Sequence, residues 1–579
     1  MSYLNFESKY NPYPATKIDA KAICGYENIK NELLSKVKEN TTLVLDFYPG
    51  VDEKEVEELV ISLHADTIIH TIDLFKESQT ITEQMKYHLT DDRTFGKMYF
   101  GEFIDFIDVD KLQQAKETVK NATGLCVVCG VAASLVTKGD INVYFDMARW
   151  EIQLRYRAGM PNYKATNNDE EILKKNKRGY FIEWRIADKH KEQLFNTFDY
   201  VVDTNKKNDP KMITGDTFRK SLEKLSHIPF RTVPYFDPGV WGGQWMKEVC
   251  HLDSTQKNFA WSFDGVPEEN SILFDYDGVI FELPAMDLVL YQPKQLLGQQ
   301  VFARFGAEFP IRFDFLDTIG GQNLSLQVHP LKEYIKKQFG MDYTQDESYY
   351  ILDATEGACV YLGLKEGINS DEMIQDLRKA QTGEILFDAE KYVNKFPAKK
   401  HDHFLIPAGT IHCSGAGAMV LEISATPYIF TFKLWDWARV GLDGRPRPIN
   451  VEHGKNVIQW DRTTQWVKEN LVNATKEVQE EGNTCRVEHT GLHELEFIET
   501  RRYTVSDSSY HKTNGTVNML NLIDGKEAIV ESPTNAFEPY VVHYAETFII
   551  PASISEYTVR PYGMSEGEEI KVIKAYVRS

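Results

Sequence analysis

LSLQVHP, from Leu324 to Pro330, alternates apolar Leu324, Leu326 and Val328 with polar Ser325, Gln327 and His329. Strict alternation marks a β-strand with one buried face, and residues two apart on a strand point the same way. Gln327 and His329 therefore share a face. DESYYILDA (Asp346–Ala354) places Glu347 at the start of an aromatic, β-branched strand. FLIPAGTIH (Phe404–His412) breaks at Pro407 and Gly409, which read as a turn, and His412 follows it. Two imidazoles, a carboxylate and an amide oxygen make a donor set for one divalent transition metal. With a position or two left to water or substrate, such a site is catalytic in style. Zinc is the default; iron, manganese and nickel accept the same donors.

Working outward, residues from about 230 to 450 carry short strand patterns separated by turn signals at Gly265, Asp277–Gly278, Gly320–Gly321, Gly409, Gly415 and Gly417. Helices are predicted only at insertions such as Leu331–Gln338 and Ser370–Ala380. A charged helical link is predicted around Thr464–Glu481. Beyond it TVNMLNLI, the turn Asp524–Gly525, KEAIVE and TFIIPA predict a second, smaller β-barrel or sandwich. The first 225 residues differ. Thr42–Phe47, Thr67–Ile72, Leu125–Val131 and Ile141–Phe145 read as strands and Lys54–His64 as a helix, which implies βαβ units and a parallel sheet. Three parts are expected: an α/β parallel-sheet domain over 1–225, a mostly-β metal-binding domain over 226–460, and a helical link with a smaller C-terminal β domain over 461–579.

The chain has 579 residues, 42% hydrophobic and 26% charged, with a net charge of −21. That charge repels a phosphate backbone and an anionic bilayer, so neither nucleic acid nor membrane is an expected partner. The longest apolar-looking stretch, Gly124–Val136, falls short of the ~18 residues a spanning helix needs. Seven cysteines without regular spacing read as reduced thiols, and the first residues lack the basic-then-apolar order of a secretory leader, so a cytoplasmic location is expected. Cys126 and Cys129 read as buried strand cysteines. His401 and His403, flanking Asp402, read as solvated turn residues.

Gln327-x-His329, then Glu347, then Pro407-x-Gly409-x-x-His412 resembles the metal-binding pattern of the cupin superfamily. VWGG (Val240–Gly243), SLQVHP, ESYYILDA, FLIPAGTIH and TFKLWDWAR (Thr431–Arg439), in this order, resemble the bacterial class I mannose-6-phosphate isomerases. GKEAIV and AETFIIPAS (Ala545–Ser553) are similar to the C-terminal barrel of that family. The resemblance spans about 230–579. It implies a cupin barrel and a second cupin-like barrel, with zinc held by Gln327, His329, Glu347 and His412. It also implies a sugar-phosphate substrate, mannose 6-phosphate being interconverted with fructose 6-phosphate through a cis-enediolate. Arg439 would hold the phosphate or the enediolate oxygen. Lys433, Lys332 or a water would carry the proton, and Trp241 and Lys332 would line the sugar. The chain departs from the family at two points. Gln345–Asp346 stand where Lys-Thr usually precedes the metal-binding glutamate, and Leu331–Lys332 stand where two aspartates usually follow HP. The first change removes a positive charge from the site. It leaves open a regulatory cupin that binds sugar phosphate without turnover, and an isomerase or epimerase of another sugar.

In the first part, DFYPGVDEKEV (Asp46–Val56) lies between a strand and a helix, where a phosphate loop would sit. With TIDLF (Thr71–Phe75), GLCVVCGV and DINVYFDMARWEIQLRYRAG (Asp140–Gly159), the order is similar to uridine-kinase-like P-loop proteins, Arg155 and Arg157 standing for lid arginines. Lys54 is present, but Glu53 replaces the second loop glycine and Glu55 the magnesium-binding hydroxyl. Two carboxylates there repel nucleotide phosphates. A degenerate, non-catalytic kinase-like domain is expected, with no nucleotide-binding residues.

Overall fold

The computed structural model describes residues 3–578 except 443, 445, 446, 448 and 492–495. The chain divides into two compact units, one of Ala15–Leu225 with Pro267–Gln292, the other of Met1–Pro14, Ser226–Val266 and Pro293–Ser579.

The first unit is built on a seven-stranded sheet in the order Thr67–His70, Leu125–Val131, Thr41–Phe47, Ile141–Asp146, Tyr200–Asp203, Lys211–Thr214, Ile23–Cys24. The first five strands are parallel and the last two join through antiparallel pairings, Lys211–Thr214 running against the rest, so the sheet is mixed where an all-parallel one was expected. Leu125–Val131 is buried at every position, as a strand covered on both faces requires. Its Cys126 and Cys129 are buried, and burial pushes the Cys129 thiol far up. After Thr41–Phe47 the chain turns at Gly50 (φ 119°) into the helix Glu53–Ser62, whose N-cap Asp52 accepts from the Lys54 amide. The turn is filled by the protein itself. Arg155 donates to the carbonyls of Gly50 (3.2 Å) and Thr204 (2.8 Å). Ile152 packs so closely that a Cβ on Gly50 would lie 2.6 Å from its Cγ1. Pro267–Gln292 joins this unit through the hairpin Ser271–Tyr276 and Val279–Pro284, whose first strand pairs in parallel with Ala15–Ile18. The predicted turn at Asp277–Gly278 closes that hairpin.

In the second unit two β-sheets hold the site. One runs His403–Ile406, Asp346–Ala354, Ala418–Ala425, Arg312–Asp317, Trp261–Gly265, Tyr235–Asp237; the other runs Val393–Pro397, Cys359–Leu364, His412–Ser414, Leu326–Val328, Phe432–Trp435. The inserted helices are Lys332–Phe339 and Ser370–Gln381. The predicted helical link is corrected: the helix covers only Thr464–Asn470, and Lys476–Val478 is a strand paired with Arg486–His489. Asn473 in the left-handed region (φ 49°) lies between the two. The C-terminal part packs a six-stranded against a four-stranded sheet around Tyr503, Leu520, Leu522, Val530, Phe548 and Val572. Arg231 and Glu546, both nearly fully buried, form an ion pair within this unit.

Candidate metal centre

The antiparallel register sets Gln327 opposite His412 on one side and opposite Lys433 on the other. Cross-strand partners share a face, so Lys433, Gln327 and His412 form one row. His329 follows two residues after Gln327. Glu347 comes from the other sheet, where it pairs with Ile406 and Ser424. Gly409 (φ 87°) makes the turn before His412, and its amide donates to the His329 carbonyl (2.9 Å). A Cβ there would lie 2.8 Å from the Val457 carbonyl, which explains the glycine.

His329 Nε2 lies 3.1 Å from Glu347 Oε2, and His412 Nε2 lies 2.9 Å from Glu347 Oε1. The Gln327 amide is 3.2 Å from His412 Nε2. Both histidines are completely buried and Glu347 nearly so. The opposite ring nitrogens decide the chemistry. His329 Nδ1 donates to the Phe430 carbonyl (3.0 Å) and His412 Nδ1 to the Thr410 carbonyl (2.9 Å). A carbonyl only accepts, so each Nδ1 carries a proton, and in the neutral ring each Nε2 presents a lone pair. In that form two lone pairs face a carboxylate, an arrangement that a cation between them would make favourable. Backbone carbonyls orient histidines in this way where such rings ligate metals. Among the described residues these three are the one such group of histidine, cysteine and carboxylate donors within 4.8 Å of one another. The donor set fits a divalent ion with two nitrogens, a carboxylate and, after rotation of its amide, the Gln327 oxygen.

Burial and the carboxylate pull on each histidine in opposite directions. Burial lowers the His329 pKa, but Glu347 outweighs it and the pKa rises; for His412 burial wins and the pKa falls. Burial would raise Glu347, yet the two histidines hold it well below the usual carboxylate range. Gln345 Nε2 donates to Glu347 Oε2 (3.0 Å), and its Oε1 accepts from the Phe430 amide (3.2 Å). The residue standing where the resemblance has lysine therefore supports the metal-facing carboxylate directly.

The structure thus gathers Gln327, His329, Glu347 and His412 at one point, with Lys433 in the same cross-strand row. The other predicted residues have other surroundings. The Arg439 guanidinium pairs with Asp436 and donates to the Asn323 carbonyl (2.7 Å). Trp241 is buried, its ring 5.5 Å from that of Trp261. Lys332 is exposed at the start of its helix. His403 is not a solvated turn residue: it is completely buried in a strand, while His401 is half-buried.

Two rows beside the centre escaped the sequence reading. Glu347, Ser424 and Arg312 are successive cross-strand partners, as are Tyr349, Glu422 and Asp314, and all six are buried. Burial first, and then the Glu347 charge, push the Glu422 carboxyl well up. The signal was present. RFDFLD (Arg312–Asp317) and VLEIS (Val420–Ser424) alternate polar with apolar residues as LSLQVH does.

Among the described residues no helix is long and apolar enough to cross a membrane. The architecture and the site together define a double-sheet unit with a buried imidazole–carboxylate group that could hold a metal ion. Residues 25–227 match a family described as a domain of unknown function, DUF8485. Over 55–58% of its length the chain is distantly similar to bacterial mannose-6-phosphate isomerases. That of Streptococcus mutans is 23% identical over 320 residues, 55% of this chain and 90% of that protein. Mannose-6-phosphate isomerase ManA of Bacillus subtilis is 21% identical over 334 residues, 58% of this chain and 93% of that one. The crystal structure of a mannose 6-phosphate isomerase from Bacillus subtilis superposes with a TM-score of 0.48 at 17% identity, covering 60% of this chain and 99% of that chain.

Proposed function

We propose that this protein is a metal-dependent aldose–ketose isomerase that interconverts mannose 6-phosphate and fructose 6-phosphate. The observation that carries the reading is the pair of histidines whose Nδ1 protons are tied to Phe430 and Thr410, leaving both Nε2 lone pairs on Glu347. The distant similarity to mannose-6-phosphate isomerases supports the choice of substrate. A divalent ion held by His329, Glu347, His412 and Gln327, zinc by default, would supply Lewis acidity toward the sugar oxygens. The reaction also needs a group that moves a proton between C1 and C2. Lys433, in the row of Gln327 and His412, has that role in this reading. Arg439 binds the phosphoryl group by exchanging its Asp436 partner for it, since a planar guanidinium suits both anions. Trp241 and Lys332 border the sugar.

Gln345 favours a second reading, a sugar-phosphate-binding regulatory cupin without turnover, because an amide cannot carry the proton or charge of a lysine. A coupled assay on metal-analysed protein separates the two, with His329→Ala as control. Turnover of mannose 6-phosphate by the metal-loaded protein, lost in the variant, is expected. Stoichiometric metal and bound sugar phosphate without turnover would overturn the isomerase and leave the regulatory reading.

A further inference from the structure

Lys574 lies in the last strand, Ile570–Val577, with Arg501 and Leu520 as its cross-strand partners. Leu520 belongs to the C-terminal core, and cross-strand partners share a face, so the Lys574 side chain enters the interior between the two sheets. It is 3% exposed. Lysine is rarely so deep without an anion. Among the described residues Lys574 has no ion pair, and its one hydrogen bond is to His511 Nδ1, at 3.5 Å. The rings of Tyr503 and Tyr576 lie 5.1 Å from the ammonium.

His511 comes from the facing sheet, where it pairs with Tyr557, and it too is buried. Its ring stacks on that of Tyr557 (4.9 Å) and meets that of Tyr503 edge-on (4.4 Å), which fixes its plane. Ser509 fixes its tautomer. The Ser509 hydroxyl donates to the Val559 carbonyl (3.1 Å), so its oxygen accepts from His511 Nε2–H (2.8 Å). Burial first, and then the Lys574 charge, hold the His511 pKa well below its ordinary value, so the ring is neutral and Nδ1 turns a lone pair to the lysine.

The order is amine, base and orienting group, the arrangement that activates side-chain nucleophiles. Burial lowers the Lys574 pKa to about 8; Arg501 lowers it as well, and Glu480 and Glu499 oppose both. Near pH 7 this makes the neutral, nucleophilic amine about a hundredfold more abundant than at an ordinary lysine. The three neighbouring charges are paired with one another: Arg501 donates to Glu480 (2.5 Å) and to Glu499 (3.1 Å). Arg501, Glu480 and Tyr576 are partly exposed and form the approach to the amine.

We propose that Lys574 is a reactive amine that condenses with a small aldehyde, at a site in the C-terminal part separate from the candidate metal centre. His511 takes a proton from the ammonium, and the freed nitrogen lone pair attacks the carbonyl carbon. A C–N bond forms as the carbonyl π pair moves to oxygen, and the imidazolium gives its proton to that oxygen. His511 then takes a second proton from nitrogen and gives it to the hydroxyl, which leaves as water while the nitrogen lone pair closes the protonated imine. One ammonium and one aldehyde thus give one protonated imine and one water, with no oxidant or reductant.

The test treats the full-length protein with glycolaldehyde and sodium cyanoborohydride, which reduces the imine to a stable secondary amine, and follows each lysine by peptide mass mapping. At about pH 7 Lys574 is expected to acquire the adduct about tenfold faster than exposed lysines such as Lys512, which serve as references in the same sample. Its rate is expected to level off above about pH 8, while theirs rises to about pH 10. His511→Gln is expected to slow Lys574 about tenfold and leave the reference lysines unchanged. Should that variant not fold, the wild-type rates and pH profile decide alone. Three results would overturn the proposal: Lys574 unmodified while the exposed lysines react, Lys574 with their rate and pH profile, or a folded His511→Gln protein labelled at Lys574 as fast as wild type.

Discussion

The α/β unit and the β-rich unit each bury a polar centre, and the two are assembled on opposite rules. In the α/β unit Lys191, 1% exposed, lies 3.0 Å from Asp146 and 2.5 Å from Asp287, and Arg149 lies between Asp188 and Glu268. Each cation there has its anions. Burial alone would lower the Lys191 pKa, but the aspartates raise it instead. In the β-rich unit Glu347 faces two imidazole nitrogens whose protons are turned away onto backbone carbonyls. The first centre is complete from its own residues, and the second gathers donors of a kind that could hold a cation. Burial is equal in the two, so complementarity of charge, not depth, separates a scaffold from a site.

The comparison is sharpest at His329. Its change to alanine is expected to remove the bound metal and several kcal/mol of transition-state stabilisation, about a thousandfold or more in turnover. Metal analysis beside the coupled assay checks this. A variant that keeps stoichiometric metal would break the contrast. Lys191→Met should do the opposite. Leaving Asp146 and Asp287 buried without their cation costs about 3–5 kcal/mol of stability, read by urea unfolding, while the metal content of the folded protein stays the same. A cost below about 1 kcal/mol would mean that the pair is not the scaffold element described.

His403 gives a pH signature. Burial first, then Arg502 and His489, lower its pKa to about 3 from an ordinary 6.5. A depressed folded-state value means the folded protein favours the neutral ring. The stabilisation is therefore full above pH 6.5 and is lost as pH falls toward 3, by on the order of a few kcal/mol. His403→Phe is expected to flatten that part of the stability curve relative to wild type, and parallel acid limbs would contradict it. The smallest effect is expected at Gln345→Ala. It removes the amide donor to Glu347 and should weaken metal affinity about 10–100-fold, as loss of an outer partner does. Competition with a fluorescent chelator measures it.

Much of the candidate centre was legible in the sequence. Alternation in LSLQVHP puts Gln327 and His329 on one face because a strand has period two, and the Pro407–Gly409 turn points to His412 beyond it. The same alternation in RFDFLD and VLEIS marked Arg312, Asp314, Glu422 and Ser424, but these strands carry no residues as conspicuous as histidine. Composition misled at two places. The charged run after Thr464 continues as a strand once Asn473 turns left-handed, and His403 beside Lys399, Lys400 and Asp402 is buried. Local polarity reports the neighbours in sequence, and burial depends on neighbours in space.

By itself the sequence determined the strands that carry the donors, which face each donor takes along its own strand, and the class of metal its donors suit. These follow from the period of the backbone and from the chemistry of side chains, both local properties. Tertiary structure alone decided that Glu347 from one sheet meets His329 and His412 from the other, and that Phe430 and Thr410 fix which nitrogen each ring presents. It also decided that Gln345 braces the carboxylate, that Arg155 and Ile152 fill the turn at Gly50, and that Pro267–Gln292 belongs with the α/β unit. Each is a contact between segments far apart in the chain, and no local period encodes which distant strand will lie alongside.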